Sequence, residues 1–407
     1  MRFRTAIIWN GISQFGQSGI TLLSTIILAR LLTPDDFGLV GIVTIFIAIS
    51  QMMVDSEMGG SLLRKKLVDK ADYSTLFWYN LGISVAIYCI LFFTAPLISR
   101  FYGRPELTGI IRILGTCIVI HAFRVVQFIM ILRDLKFKIY ALINVSGGAT
   151  SLIIAILLAK NGFGYWALVW QQIIMAGMIV LLMGLYNRFI PSLLFSKKSF
   201  LYQFRFGIGL LGANTVITVA NNIGANIIAK VSTLQFTGYF TQTNRITTFF
   251  QTALGSIFNQ SIFPLMAKFE KTEEVRRMYR KILLYMTAAL LILTLLLEFS
   301  APLLIRVGLG EEWLPAVPVF RILSLAIFPA CLQVLCRNVM KTLGSTGRVM
   351  TADSMIALLS LLLMIGGAFV SLDMILWGIV AAQAAGAILW IYITERQLKG
   401  NDFIRKD

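Results

Sequence analysis

Histidine occurs once in this chain, at His121, and cysteine only four times, at Cys89, Cys117, Cys331 and Cys336. No CxxC pair and no Cys/His ligand spacing is present, which excludes a disulfide framework and a metal centre as organising principles; no cofactor is expected. The four cysteines lie inside apolar stretches, where they pack as small apolar side chains. Acids are scarce as well, 19 Asp and Glu against 36 Lys and Arg, for a formal net charge of +17. Extended polar stretches are missing, which leaves no room for a soluble domain. What the chain has instead is hydrocarbon: 57% hydrophobic and 14% charged residues, with a mean hydropathy of +0.81. A soluble protein of 407 residues could not hide that much apolar surface from water.

Apolar windows of roughly 20 residues, each sufficient to cross a bilayer, recur along the whole length. They fall at about 7–29, 38–57, 75–98, 108–131, 140–159, 165–186, 201–229, 237–263, 282–306, 315–340, 349–371 and 375–394. The first begins straight after MRFR and runs too long for a cleaved leader, so it reads as a signal anchor. The expected fold is all-α and membrane-spanning, with twelve transmembrane helices.

The positive charge is distributed by topology and gives no support to nucleic-acid binding. Taking loops on alternating sides, one side collects Arg2 and Arg4; Arg64, Lys65, Lys66 and Lys70; Arg133, Lys136 and Lys138; Arg188, Lys197 and Lys198; Lys268, Lys271, Arg276, Arg277, Arg280 and Lys281; Lys341 and Arg348; and Arg396, Lys399, Arg405 and Lys406. The other side holds only Arg30, Arg100, Arg104, Lys160, Lys230 and Arg306. A bias maintained at every loop is the positive-inside pattern, and it places both termini in the cytoplasm. The basic loops then face anionic headgroups.

Two stretches 200 residues apart match without a gap: ILARLLTPDDFG (Ile27–Gly38) and IIAKVSTLQFTG (Ile227–Gly238) share Ile27/Ile227, Ala29/Ala229, Arg30/Lys230, Thr33/Thr233 and Gly38/Gly238. RIL at Arg112–Leu114 is echoed by RIL at Arg321–Leu323. Six segments precede the basic linker NRFIPSLLFSKKS and six follow it. The expected organisation is an N-terminal six-helix lobe over 1–190, a cytoplasmic linker over 191–200 and a C-terminal six-helix lobe over 201–407. The two lobes are pseudo-symmetric about the membrane normal and surround a central cavity. The second basic loop, FEKTEEVRRMYRK, suits a short interfacial amphipathic helix with Val275, Met278 and Ile282 inward.

Polar residues line up on the first two segments of each half. Asn10, Gln14, Gln17, Thr21 and Ser24 share one helical face, as do Thr44, Gln51 and Asp55. Asn214, Thr218, Asn221 and Asn222 repeat the theme, and Thr241, Arg245, Thr248, Thr252 and Asn259 extend it. Such stripes serve either interhelical hydrogen bonding or a hydrated cavity lined by segments one, two, seven and eight. Six arginines fall outside the loops: Arg112, Arg124, Arg205, Arg245, Arg321 and Arg337. Arg205 and Arg337 lie close enough to cytoplasmic ends to snorkel. Arg124 and Arg245 are deepest, against few intramembrane acids (Asp55, Glu57, Glu298 and Asp353). A cationic excess in a wet cavity favours an anionic substrate, because guanidinium forks fit phosphate; pairing with Asp55, Glu298 or a helix C-terminus is the structural alternative. For Arg245 the substrate reading leads, for Arg124 the structural one. His121 reads as a packing histidine with a proton-relay alternative, and Asp55 is the better candidate for coupling to H+ or Na+, although an ion pair explains it equally.

LARLLTPDDFGLVGIVTIFIAISQMMVDSEMGGSLLRKK, FGYWALVWQQI, FRFGIGLLGANTV, TGYFTQTNRITTF and FPLMAKFEKTEEVRRMYRK, taken in order, resemble the bacterial polysaccharide-transporter flippases that export lipid-linked O-antigen and exopolysaccharide repeat units, nearest the colanic-acid-exporter branch. The resemblance implies the multidrug/oligosaccharidyl-lipid/polysaccharide exporter fold, location in the bacterial inner membrane, a substrate carried on undecaprenyl diphosphate, alternating access, and a polymerase of the same pathway as partner. Under that reading Arg245, Arg124, Arg112 and Arg321 would bind diphosphate, and Asn10, Gln14, Gln17, Asn221, Asn222 and Thr248 would bind sugar hydroxyls. Two features depart from the family: Ser56 and Glu57 stand where small or apolar residues are commoner, and twelve segments are present where some members have fourteen. A cation-coupled multidrug antiporter of the same superfamily is the alternative, but it calls for an acidic cavity. A membrane glycosyltransferase or polymerase calls for acid/base residues on a sizeable outward loop, and the outward loops here are too short.

Overall fold

Hydrocarbon offers no partner to an open N–H or C=O, so a chain of this composition crosses it only as helix or closed barrel. The computed structural model describes residues 2–55, 58–266 and 272–400, and every regular element among them is helical. The first part of the chain forms α1 (Arg2–Ala29), α2 (Pro34–Asp55), α3 (Met58–Arg64), α4 (Lys70–Tyr102), α5 (Glu106–Leu114), α6 (Thr116–Arg133), α7 (Phe137–Lys160) and α8 (Tyr165–Asn187). There follow α9 (Lys197–Asn222), α10 (Gly224–Val231), α11 (Leu234–Met266) and α12 (Thr272–Gly308). A 3-10 turn (Glu311–Ala316) then leads into α13 (Val317–Leu325), α14 (Ile327–Thr342), α15 (Thr346–Ala368) and α16 (Leu372–Gly400).

Among the described residues, nine helical stretches are long and apolar enough to cross a membrane, and they coincide with expected segments two to six and nine to twelve. The other three expected segments are helical too, as α1, α9 with α10, and α11. These are three of the four segments that carry the polar stripes.

The two matching sequences fold alike at their loops. Thr33 caps α2: its N–H and hydroxyl reach Asp36 Oδ2 at 3.0 and 2.9 Å, and the Asp36 N–H returns to Thr33 Oγ1 at 3.4 Å. Thr233 caps α11 by accepting the Phe236 N–H at 3.2 Å. A threonine placed just before a helix satisfies donors that the helix itself leaves open, which gives the paired threonines a physical reason. The RIL echoes also correspond: each ends or nearly ends a short helix, α5 before Gly115 and α13 before Ala326, ahead of a longer one. The basic stretch expected as a separate interfacial helix is different. From Thr272 onward it is the opening of α12, continuous to Gly308, because nothing in it breaks a helix and Glu273 and Glu274 suit the first turn.

Contacts divide the chain into two compact units, Met1–Lys230 and Val231–Asp407. In the first, α7 packs on α1 and α8, and α6 packs on α4 and α8. A Cβ at Gly148 would stand 3.1 Å from Ile20, so glycine permits the α1–α7 approach. In the second, α15 packs on α16 and α14 on α11 and α16. There a Cβ at Gly378 would lie 2.9 Å from the Leu363 carbonyl oxygen.

The division falls after Lys230, so the linker and α9 lie in the first unit. Side chains around the start of α4 hold them there. Ser74 and Ser192 hydroxyls meet at 2.9 Å, Trp78 Nε1 donates to the Ser192 carbonyl at 2.8 Å, and the Ser196 N–H donates to Thr75 Oγ1 at 3.0 Å. Asp72, 2% exposed, accepts Lys65 Nζ at 2.5 Å and the Ser199 hydroxyl at 2.6 Å. Gln203 Nε2 adds a bond to the Asp72 carbonyl at 3.1 Å. Linker and α9 are thereby fastened to the first unit. Asp72→Ala removes the shared acceptor and should cost about 1–3 kcal/mol of stability. The expected outcome is a lower thermal midpoint in detergent and faster tryptic cleavage after Lys197 and Lys198; an unchanged cleavage rate would show that Asp72 does not hold the linker.

Candidate functional site

The polar stripes divide once the side chains are placed. On α1, Gln14 is exposed, Gln17 is half-buried with its Oε1 unpartnered among the described residues, and Thr21 bonds back to the Gln17 carbonyl at 2.9 Å. Ser24 is buried and accepts Gln171 Nε2 at 2.6 Å, so the far end of this stripe is an interhelical contact. The Asn10 and Asp55 side chains, and Ser56 and Glu57 entirely, lie outside the described residues. On α9, Asn221 is exposed, while Asn222 is half-buried and donates to the Thr218 carbonyl at 2.8 Å. Helix α9 packs on α2, where the Thr215 hydroxyl sits 3.6 Å from Met52 Sδ.

Helix α11 has two polar faces with different fates. Gln242, Thr243 and Thr247 are buried, on the helix that packs against α13 and α14. Thr241 and Arg245 are half-buried, and Thr248 and Thr252 are exposed. The hydroxyls of Thr241 and Thr252 bond to carbonyls one turn back, at 2.8 and 2.9 Å. Arg245 has no carboxylate within ion-pairing reach among the described residues. Glu298, one of the two acids considered for it, accepts the Ser324 hydroxyl at 2.8 Å, and Asp353, another intramembrane acid, accepts Arg337 at 2.8 Å.

The remaining arginines are placed differently. Arg112 is half-buried, with Nε donating to the Phe92 carbonyl at 3.3 Å and its guanidinium 4.4 Å from the Phe92 ring centroid. Arg321, its counterpart in the second RIL, is exposed. His121 and Arg124 are both half-buried on α6, and Arg124 has contacts of its own. Arg337 does not snorkel. It turns inward into a polar cluster that sequence reading did not assemble: Nε to Asp353 Oδ1, Nη2 to Gln333 Oε1 at 2.9 Å, Gln333 Nε2 to Gln383 Oε1 at 2.8 Å, and Trp390 Nε1 to Asp353 Oδ1 at 3.2 Å. The available signals were the i, i+4 spacing of Gln333 and Arg337 and the i, i+7 spacing of Gln383 and Trp390.

A protein-family profile described as "Polysaccharide biosynthesis protein" matches residues 27–318. The chain is 26% identical over 325 residues to the "Succinoglycan biosynthesis transport protein ExoT" of Rhizobium meliloti (strain 1021), covering 78% of this chain and 65% of that one. It is 24% identical over 348 residues to the "Lipopolysaccharide biosynthesis protein WzxC" of Escherichia coli (strain K12), covering 83% and 68%. The chain thus spans about two thirds of the length of these relatives. Among solved structures it resembles "Lipid II flippase MurJ, inward closed conformation", with a TM-score of 0.77, 14% identity and coverage of 95% and 87%. It also resembles an inward-facing MATE family multidrug resistance transporter of the MOP superfamily, with a TM-score of 0.74, 13% identity and coverage of 94% of each chain. The fold is therefore that of a multi-pass membrane protein of the MATE/MurJ kind.

The inward cluster of the second unit is tested by a double-mutant cycle. Arg337→Met or Asp353→Leu alone leaves a charge without its partner and should cost about 1–3 kcal/mol, discounted because both groups are partly exposed. The Arg337→Met/Asp353→Leu double variant should cost less than the sum of the two single changes. Additive losses in thermal midpoint would mean that the pair is not coupled.

Proposed function

The chain belongs to the polysaccharide biosynthesis protein family, a family of transporters and not of enzymes, and from that premise we propose that it is a flippase for lipid-linked oligosaccharide. The substrate is a repeat unit on undecaprenyl diphosphate, destined for O-antigen, capsule or exopolysaccharide. It moves from the cytoplasmic to the periplasmic leaflet of a bacterial inner membrane by alternating access, with the isoprenoid tail remaining in lipid. In this reading the nine apolar spans together with α1, α9–α10 and α11 make twelve crossings, and the helices that carry polar stripes contribute most to the path.

The observation that carries this reading is Arg245: a half-buried guanidinium on a membrane helix, on the less-buried side of α11, without a carboxylate partner among the described residues. A cation left in that setting favours an arriving anion, and a diphosphate offers the planar fork its best match. Thr248, one turn away and exposed, supplies a hydroxyl beside it. Gln14, Gln17, Asn221 and Asn222, with Asn10, offer hydrogen bonds to sugar hydroxyls. Arg124, Arg112 and Arg321 are secondary phosphate contacts, Arg112 with its guanidinium already held over Phe92. H+ or Na+ coupling through Asp55 or His121 and a polymerase partner of the same pathway complete the proposal. The antiporter reading needs acids open to a cationic drug, and Glu298 and Asp353 are both engaged in contacts within the second unit.

Deleting the gene should cause undecaprenyl-linked repeat units to accumulate, measured by lipid extraction and mass spectrometry. Arg245→Ala should reduce export about ten- to a hundredfold, the scale of a lost charge-assisted hydrogen bond, with Arg245→Lys restoring part of it. If no lipid-linked sugar accumulates, the substrate is wrong and the antiporter moves forward. Full export by Arg245→Ala would remove that residue from the path.

A further inference from the structure

Helices α15 and α16 are joined by a short turn and run antiparallel, so the first turn of one lies beside the last turn of the other. At that end they form a groove of about 500 Å³. Arg348 and Arg396 stand at one end of it; Tyr392 lines it about one helical turn, roughly 6 Å, further along, and Met355 and Leu389 about two turns, roughly 10 Å, further along. Among the described residues no aspartate or glutamate lines it. Glu395, the acid adjacent in sequence, is held in a two-pronged ion pair by Arg280, with bonds of 2.9 Å each, and Arg276 lies 3.8 Å away. The Arg348 guanidinium donates to Gln397 Oε1, a neutral acceptor that orients it and leaves its charge in place. Met355 and Tyr392 are each 61% exposed, facing where lipid lies around a membrane helix.

Charge at one end and hydrocarbon beyond it match one class of ligand. We propose that this groove binds an anionic phospholipid of the cytoplasmic leaflet, with its phosphate between Arg348 and Arg396 and an acyl chain along Met355, Leu389 and Tyr392. Two guanidiniums sharing a groove without an acid repel one another, and a phosphate relieves that repulsion while accepting their N–H donors. The charge bias of the loops places this end at the cytoplasmic face, whose leaflet carries the anionic headgroups that basic interhelical pockets recognise. A zwitterionic lipid brings the same chains but also its own cation, and it gains less. The site is independent of the flippase reading, because it requires only that the chain be a membrane protein.

The test uses the full chain in nanodiscs and in mild detergent, followed by native mass spectrometry and thermal unfolding. Phosphatidylglycerol should be retained and should raise the midpoint; phosphatidylcholine with identical chains should do neither, and inorganic phosphate should neither stabilise nor displace. Arg348→Gln/Arg396→Gln should weaken phosphatidylglycerol retention at least about tenfold, with Arg348→Lys/Arg396→Lys keeping part of it. Thr351→Glu, an exposed position on the groove wall, should abolish retention by placing a carboxylate beside the pair, and it serves if the Gln double variant fails to fold. Equal retention of phosphatidylcholine, or undiminished retention in both the Gln double variant and Thr351→Glu, overturns the proposal. Equal protection by inorganic phosphate alone would make the groove an anion site and defeat the lipid assignment.

Discussion

A polar group placed in hydrocarbon must find its partner within the chain, and the structure follows from how each residue type meets that demand. Many serines and threonines meet it locally. The hydroxyls of Thr25, Thr44, Thr241 and Thr294 each bond to the carbonyl four residues back, at 2.8–3.0 Å. Such a group is satisfied before any neighbour arrives and says little about where its helix packs. Longer amides and guanidiniums mostly reach further, and they join the helices. Gln171 ties α8 to α1 through Ser24, Asn187 caps the Gln127 carbonyl at 2.9 Å, Asn226 donates to the Ile42 carbonyl at 2.9 Å, and Gln333 joins α14 to α16.

The same demand explains why α9 is held within the first unit. At its N-terminal end a capping acid does double service. Asp69 and Asp72 cap α4 reciprocally, at 2.8 and 3.1 Å, and Asp72 still has lone pairs for Lys65 and Ser199. A carboxylate at the head of one helix thereby fixes the start of another more than 120 residues later in the chain.

Much of the fold could be read from the sequence because hydrophobic length is local information. The window 108–131 corresponds to Glu106–Arg133, and the window 140–159 to Phe137–Lys160. The Thr33/Thr233 match was readable for the same reason, since a helix cap is decided within four residues. The contact between the start of α4 and the linker was not, because Ser74 and Ser192 are far apart in sequence and nothing in either indicates the other. Arg337 was misplaced for a related reason. Distance from a helix end suggested snorkelling, but an acid sixteen residues away on the next helix gave it a better partner than water. The breaks after the two RIL sequences were also invisible: Gly115 has right-handed helical dihedrals (φ −57°, ψ −25°), so no special conformation marks the point.

The arginines show why position along a helix underdetermines role. Arg337 is neutralised by a carboxylate, and Arg112 is held by a carbonyl and a ring; a substrate would have to compete with those contacts. Arg245 faces no such competition from a carboxylate among the described residues, so an incoming anion does not have to break an ion pair there. One fixed charge also suits transport better than several. At effective dielectric constants near 20, a single unit charge about 4 Å away contributes about 4 kcal/mol, enough to bias occupancy, whereas a full cage of cations would hold a diphosphate too tightly for release. Under the proposed function, one dominant guanidinium binds the carrier headgroup strongly enough to admit it and weakly enough to let it go.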